Sequence, residues 1–196
     1  MPYEVIKKFE QQVAKFAGAK YGIAVDSCTN ALFLCCYMLK VKTVTIPART
    51  YVGVPCSIIH AGGKVKFEDM KWAGVYQLKP YEIFDGALRF RRGMYVEGLH
   101  CLSFHIKKHI PIGRGGMILT NNEKHAEQLR RLRFDGRREK PLSEDNFDML
   151  GFNMYLTPEQ AARGLVLLSL FIHGGVDIPT ETQGYPDLRN YAVYNR

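Results

Sequence analysis

The sequence has little that would place the chain in a membrane or build it from repeats. Its apolar stretches are interrupted by charge well before the roughly 18 residues that a membrane-spanning helix needs. The N-terminal residues have no apolar core of the kind found in secretory signals, so no such signal is expected. Low-complexity tracts and repeats of roughly 20–50 residues are absent, which excludes solenoid and disordered chains.

The cysteines form no recognisable framework. There are five of them, an odd number, and no two have the Cys-x-x-Cys spacing. A disulfide scaffold and a structural zinc site are therefore excluded, and no metal site is expected. The cysteines are Cys28, Cys35, Cys36, Cys56 and Cys101. We expect free, buried thiols in a reducing cytoplasm.

Basic residues outnumber acidic ones by 27 to 19, a net charge of +8. Six of the basic residues fall between positions 130 and 140, at the end of an apparent helix, where they suit the helix dipole. Nucleic-acid binding is one explanation of this charge. A site for an anionic, phosphate-bearing small molecule is the favoured alternative. Neither a nucleic acid nor a membrane is expected as a partner.

Strand and helix patterns alternate along the chain. An amphipathic helix is predicted over 3–18, a buried strand over 21–26, and a buried helix from Ser27 onward. Further strands are predicted at 43–46, 64–67, 82–85, 100–104 and 116–120, with helices at 51–60, 122–134 and 157–171. Residues 68–80 show no clear period, and residues 176–196 are predicted to be irregular or docked on a neighbour. The alternation predicts an α/β layer fold around a largely parallel sheet.

Ligands of such sheets bind at the carboxyl ends of the strands, so the polar residues there are the candidates for chemistry. Lys108 follows a strand and precedes a glycine-rich turn. In a buried pocket its pKa would fall, and the free amine forms Schiff bases with carbonyl groups. The alternative is a surface loop with two solvated lysines, Lys107 and Lys108. The local sequence alone favours that alternative.

The wider set of residues reverses this preference. Asp85 ends a predicted strand, and a buried carboxylate there can keep a pyridine nitrogen protonated. Tyr51 can stack on a flat ring. Ser27-Cys28-Thr29 lies at a helix start, where backbone N–H groups bind phosphate. Lysine, carboxylate, aromatic ring and phosphate cradle together are what pyridoxal 5′-phosphate (PLP) requires.

Six segments, in order along residues 5–171, also resemble those of a known family. They are Phe9–Val25, Ser27–Leu32, Ile46–Tyr51, Phe84–Ala87, Ser103–Lys108 with Gly115-Gly116, and Gly151–Asn153 with Gln160–Ala162. The fifth resembles a Ser-Phe-x-x-x-Lys signature followed by Gly-Glu-Gly-Gly. On these motifs the sequence resembles the DegT/DnrJ/EryC1/StrS group of sugar aminotransferases.

The resemblance implies roles for individual residues. Lys108 would form the Schiff base, because the family places its lysine five residues after the serine, and Asp85 would pair with the pyridine nitrogen; these two are the catalytic candidates. The cofactor-binding candidates are Cys28, Thr29, Tyr51, Asp85, Ser103, Lys108 and Asn153. Cys28, Thr29 and Ser103 would hold the phosphate. Asn153 would reach the cofactor of a partner subunit, which implies a homodimer with shared active sites.

The same resemblance implies fold and activity. The fold would be a three-layer α/β/α sandwich with a mostly parallel central sheet, the large domain of a type I aminotransferase in truncated form. Residues 1–171 would be this PLP-binding domain. Residues 172–196 would be an irregular tail, a remnant of the small domain. The activity would be PLP-dependent transfer of an amino group, from glutamate by family analogy, to a nucleotide-linked keto-sugar, as in polysaccharide biosynthesis.

Several positions depart from the family pattern. Leu88 stands where glutamine or histidine is usual, Arg114 replaces a glutamate, and Tyr155 replaces a common arginine. The chain is also about half the length of a typical member, which leaves open a second function, that of a catalytically reduced PLP- or sugar-nucleotide-binding relative acting as a subunit or regulator. A sugar dehydratase is disfavoured, since those members carry histidine in place of the lysine. Candidates for binding a substrate carboxylate or diphosphate are Arg49, Arg89 and Arg114.

Overall fold

The computed structural model describes residues 3–171 and 174–194. Within these ranges the chain forms five α-helices and seven β-strands. The helices are α1 (Glu4–Ala17), α2 (Cys28–Met38), α3 (Gly53–His60), α4 (Glu123–Leu132) and α5 (Pro158–Leu170). The strands are β1 (Tyr21–Val25), β2 (Thr43–Pro47), β3 (Lys64–Glu68), β4 (Tyr76–Gln77), β5 (Ile83–Asp85), β6 (Leu99–Ser103) and β7 (Gly116–Thr120). All the predicted elements form, with ends shifted by one or two residues.

The main sheet has the strand order β1-β7-β6-β5-β4, and β2 pairs separately with β3. The α/β class is confirmed, but the sheet is mixed rather than mostly parallel. β5 and β6 are parallel, as are β2 and β3, whereas β1–β7, β6–β7 and β4–β5 are antiparallel. The cause lies in the connections. A parallel pair needs a long crossover, but residues 104–115 join β6 to β7 without a helix, so β7 returns antiparallel.

Helices cover both faces of the sheet. Side chains of a strand alternate between faces, so Ile23 and Ile118 pack against α2 and α4, while Ala24 and Met117 pack on the opposite face against α1 and α5. The predicted three-layer sandwich is confirmed. The predicted domain boundary between residues 171 and 172 remains a prediction, and residue 172 lies outside the described ranges.

The basic cluster at 130–140 is partly neutralised within the chain. Arg131 and Arg138 pair with Asp148, and the buried Arg133 pairs with Glu10 on α1. Glu10 also accepts a hydrogen bond of 2.8 Å from the N–H of Ala24. This buried pair therefore joins the first helix and first strand to the end of α4.

The cysteines are free thiols, as predicted, and all except the partly exposed Cys56 are buried. Among the helices in the described ranges, none combines the length and apolar character needed to cross a membrane.

His100 on β6 makes stability depend on pH. It is 4% exposed between the rings of Phe84 and Tyr95, and its Nδ1 has no hydrogen-bond partner among the described residues. Burial lowers its pKa from 6.5 to about 4. The unfolded chain therefore takes up this proton first as the pH falls. The contribution of the neutral ring is complete above pH 6.5 and is lost as the pH falls towards 4.

We expect the free energy of unfolding to decrease by up to about 3 kcal/mol from this group over that interval. Urea titrations at a series of pH values measure it. The control is His100→Leu, of similar size but without a titrating group. Its stability should vary less between pH 6.5 and 4, and equal slopes for the two proteins would contradict the assignment.

Candidate active site

A cavity of about 500 Å³ lies where β5 and β6 end and α2 begins. Six of the seven residues predicted for cofactor binding line it. They are Cys28, Thr29, Tyr51, Asp85, Ser103 and Lys108. The seventh, Asn153, is exposed outside this cavity and donates to Asp135 at 3.0 Å. Its predicted role concerns a partner subunit and remains a prediction, as do the roles of the other six.

The start of α2 forms one end of the cavity. Ser27 caps the helix by accepting a hydrogen bond from the N–H of Asn30 at 3.1 Å, and Asp26 accepts one from the side chain of Asn30 at 2.7 Å. Cys28 and Thr29 are the first two helical residues, so their N–H groups have no carbonyl partner within the helix. These donors and the helix dipole favour an anion.

Gly116 lets β7 approach this helix start closely. A Cβ atom at position 116 would lie 2.5 Å from the carbonyl carbon of Ser27 and 2.6 Å from the nitrogen of Cys28. Both are backbone atoms, so the helix start would have to move to admit a methyl group. The shape of this predicted phosphate cradle thus depends on a residue from β7, a strand much later in the chain.

We therefore expect Gly116→Ala to weaken PLP binding by about tenfold or more, because moving the cradle loses the better part of its charge-assisted hydrogen bonds. Fluorescence titration with PLP measures this. The control for general strain is Gly62→Ala, because a Cβ there meets no atom within 4 Å and the φ of +85° strains alanine at a position outside the cavity lining. Unchanged PLP affinity in Gly116→Ala, with the control also unchanged, would contradict the placement of the phosphate.

Asp85 is held at the end of β5 and is 4% exposed. One carboxylate oxygen accepts from the N–H of Ala87 at 3.0 Å and the other from the hydroxyl of Tyr76 at 2.9 Å. The Tyr76 hydroxyl is 2.7 Å from Oγ1 of Thr50. Burial raises the pKa of Asp85, while these two hydrogen bonds and Lys108 oppose the rise. Each oxygen keeps a free lone pair, so a ring N–H in the cavity can still be accepted.

Lys108 lies in the turn after β6, where its N–H donates to the carbonyl of His105 at 2.8 Å. It is partly buried, whereas Lys107 is exposed. Burial lowers the pKa of Lys108, an effect that Asp85 and Cys28 oppose and Lys107 reinforces. The solvated-loop alternative thus fits Lys107, and Lys108 is the amine more readily available as a nucleophile.

A sequence model of the DegT/DnrJ/EryC1/StrS aminotransferase family matches residues 1–85 and 93–172 of this chain. The chain belongs to this family.

The individual relatives share only low sequence identity with this chain. The spore coat polysaccharide biosynthesis protein SpsC of Bacillus subtilis is 26% identical over 67% of this chain and 46% of its own length. A UDP-4-amino-4,6-dideoxy-N-acetyl-beta-L-altrosamine transaminase of Campylobacter jejuni is 23% identical over 86% of this chain and 57% of its own. The chain thus spans about half the length of the curated relatives it matches.

The fold is also shared with Spr1654 of Streptococcus pneumoniae, solved in a PLP-form. The TM-score is 0.72, with 17% identity, covering 84% of this chain and 59% of that one. PLP is accordingly the cofactor that family membership assigns.

The residues of the cavity fit PLP. The open helix start suits the phosphate, the buried carboxylate suits a protonated ring nitrogen, and the partly buried lysine suits the aldehyde. Tyr51 contributes an aromatic ring, 54% exposed, at the cavity wall. A Cβ at Gly53 would lie 2.8 Å from this ring and 2.9 Å from Oγ1 of Thr29, so the two side chains enclose one small space.

The sequence does not predict three residues that line the cavity or support its carboxylate. Tyr76, the partner of Asp85, belongs to the two-residue strand β4, inside a segment with no periodicity. Trp72 and Tyr185 also line the cavity, and no local pattern marks either of them. Of the arginines considered, Arg114 lines the cavity and pairs with Asp26 at 3.0 Å, whereas Arg89 is held by Asp177.

Proposed function

We propose that this chain binds PLP and transfers an amino group from an amino acid, glutamate by the family resemblance, to a nucleotide-linked keto-sugar. One observation carries the proposal: a lysine with a lowered pKa and a buried, hydrogen-bonded carboxylate line the same cavity. Family membership supports this function, and so does the transaminase named among the relatives.

Some of the cavity residues would bind the cofactor, and one would transfer a proton. When bound, PLP supplies an aldehyde that condenses with amines and a ring that accepts an electron pair. Cys28, Thr29 and Ser103 would hold its phosphate, and Asp85 would keep its ring nitrogen protonated. Nζ of Lys108 would take the proton from the α-carbon of the amino donor and deliver it to C4′ of the cofactor. The lowered pKa of Lys108 suits that exchange.

The cavity rim suits an acidic substrate. Arg114 lines the cavity and is well exposed. Its positive charge suits the diphosphate of a nucleotide sugar or the carboxylate of the amino donor.

We also propose a homodimer in which Asn153 serves the partner's site. The supporting observations are that Asn153 lies exposed outside its own cavity and that the nearby Leu150 is 86% exposed. Sedimentation equilibrium would measure the mass of the assembly, which should be twice that of one chain.

We also propose a cytoplasmic location, which agrees with the five free thiols.

The direct test is a single-turnover reaction. The protein is loaded with PLP, freed of excess cofactor and mixed with glutamate, and 2-oxoglutarate is measured. The proposal expects 2-oxoglutarate in an amount matching the bound cofactor. If glutamate gives no 2-oxoglutarate, and other amino acids give none of their corresponding 2-oxo acids, although cofactor is bound, the proposal is overturned in favour of the binding or regulatory relative.

A further inference from the structure

Residues 175–188, here named the C-terminal strap, run across the cavity side of the sheet. The strap is anchored along its length. Its Gly175 and Ile178 N–H groups donate to the carbonyls of Phe90 and Leu88 at 3.1 and 2.9 Å. Further along, the N–H of the fully buried Leu188 donates to the carbonyl of Ala48 at 2.9 Å. The strap is therefore a fixed part of the fold.

Asp177 is the polar anchor of the strap. Its carboxylate accepts from Nε and Nη2 of Arg89 at 2.8 and 2.5 Å, a two-point contact. Nη2 of Arg89 also donates to the carbonyl of Ala73 at 3.2 Å. A Cβ at Gly74 would lie 2.3 Å from this carboxylate, so the 73–74 turn is shaped around it. One ion pair thus ties the strap to two separate loops.

The strap and its main partner both lie outside the family match. That match omits residues 86–92 and ends at residue 172. The unmatched residues 88–90 are those that bind the unmatched residues 175–178. The two stretches that the family match leaves out therefore form one local structure beside the site.

Aromatic contacts lead from the strap to the catalytic carboxylate. The ring of Tyr185 stacks on Trp72 with centroids 6.2 Å apart and planes 15° apart. Trp72 meets Tyr76 edge-on at 4.6 Å, and the Tyr76 hydroxyl donates to Asp85. Thr180 on the strap donates to the carbonyl of Trp72 at 3.0 Å. Tyr185, Gln183 and Trp72 line the same cavity as Asp85 and Lys108.

We propose that the C-terminal strap is a wall of the cofactor cavity in this chain, and that Tyr185, stacked on Trp72, is a cofactor-binding residue that contacts the bound PLP. The inference rests on the proposed function. The contacts that hold the strap in place and the binding of the cofactor are then coupled: a change that weakens the strap contacts also lowers the affinity for PLP. Burial, reinforced by Asp85, raises the pKa of Tyr185 to about 12, so its hydroxyl remains a hydrogen-bond donor at neutral pH.

Trp72 provides the readout, because it is the single tryptophan of the chain. We expect PLP to quench its emission, and the titration gives the dissociation constant without any catalytic assay. Tyr185→Ala should raise that constant about fivefold to tenfold, the value of an aromatic contact. Asp177→Asn should raise it in the same direction, and should also make Trp72 more accessible to acrylamide before any cofactor is added.

Tyr191→Ala is the matched control, since Tyr191 follows the strap, is 47% exposed and lies outside the cavity lining. It should bind PLP like the wild type. Asp177→Asn keeps the test valid if Tyr185→Ala does not fold. Wild-type affinity in both strap variants would overturn the strap inference alone. A wild-type protein that binds no PLP would overturn this inference together with the proposed function.

Discussion

Replacing Lys108 by alanine should lower amino transfer by about 10³-fold or more, the range seen when a general acid–base group is removed. Lys108 is the partly buried lysine that lines the cavity with Asp85, and its lowered pKa favours the neutral amine that moves the proton in the proposed mechanism. Single-turnover formation of 2-oxoglutarate measures the loss. Borohydride reduction of the PLP-loaded wild type, followed by peptide mapping, should place the cofactor label on Lys108.

Lys107→Ala is the control, because it changes the adjacent lysine and leaves the fold in place. Lys107 is exposed, so its loss should reduce the rate no more than about threefold, through the weak effect of an exposed charge. A label found on Lys107, or a Lys108→Ala protein with wild-type turnover, would show that the assignment is wrong.

Asp85→Asn should reduce amino transfer by about 10²–10³-fold, the cost of removing one electrostatic stabiliser from an active site. The amide fits the same hydrogen bonds. Oδ1 can accept from Ala87, and Nδ2 can donate to the Tyr76 hydroxyl, which then donates to Thr50. The variant therefore isolates the charge.

Although Asp85→Asn should lower the activity, it should not lower the free energy of unfolding. The folded-state pKa of Asp85 is raised above its ordinary value, so ionising it costs folding free energy as the pH rises through that pKa. Asp85→Asn removes this cost, and its unfolding midpoint in urea at pH 7 should equal or exceed that of the wild type.

Tyr76→Phe is the control for that experiment, since it removes one hydrogen bond and keeps the carboxylate. Its turnover should stay within about tenfold of the wild type, because one hydrogen bond is worth about 1 kcal/mol. An Asp85→Asn variant as active as the wild type would contradict the role of the carboxylate.

The site residues that can be predicted from the sequence are those whose position follows from the strand or helix next to them along the chain. Ser27 to Thr29 stand between a strand and a helix, and Asp85 ends a strand, so local pattern and strand order bring them to one edge of the sheet. Lys108 follows from the same reasoning, with the family spacing selecting it over Lys107.

The unpredicted features depend on contacts between distant parts of the chain. The antiparallel return of β7 is decided by a connection without a helix, which periodicity does not reveal. Arg89 looked available for substrate because its partner Asp177 lies 88 residues away. Tyr76 and Tyr185 lie in segments without a period, and their position follows from packing around Trp72.

The placement of β7 between β1 and β6 has a consequence for biosynthesis. As the chain leaves the ribosome, β1 has no neighbour in the main sheet until residues 116–120 have been made. Gly116 on that late strand also abuts the helix start that we predict to hold the phosphate. A nascent chain that ends between residues 103 and 116 carries the predicted phosphate ligands Cys28, Thr29 and Ser103 but lacks the strand that abuts the helix start, so we expect PLP binding to require translation of β7.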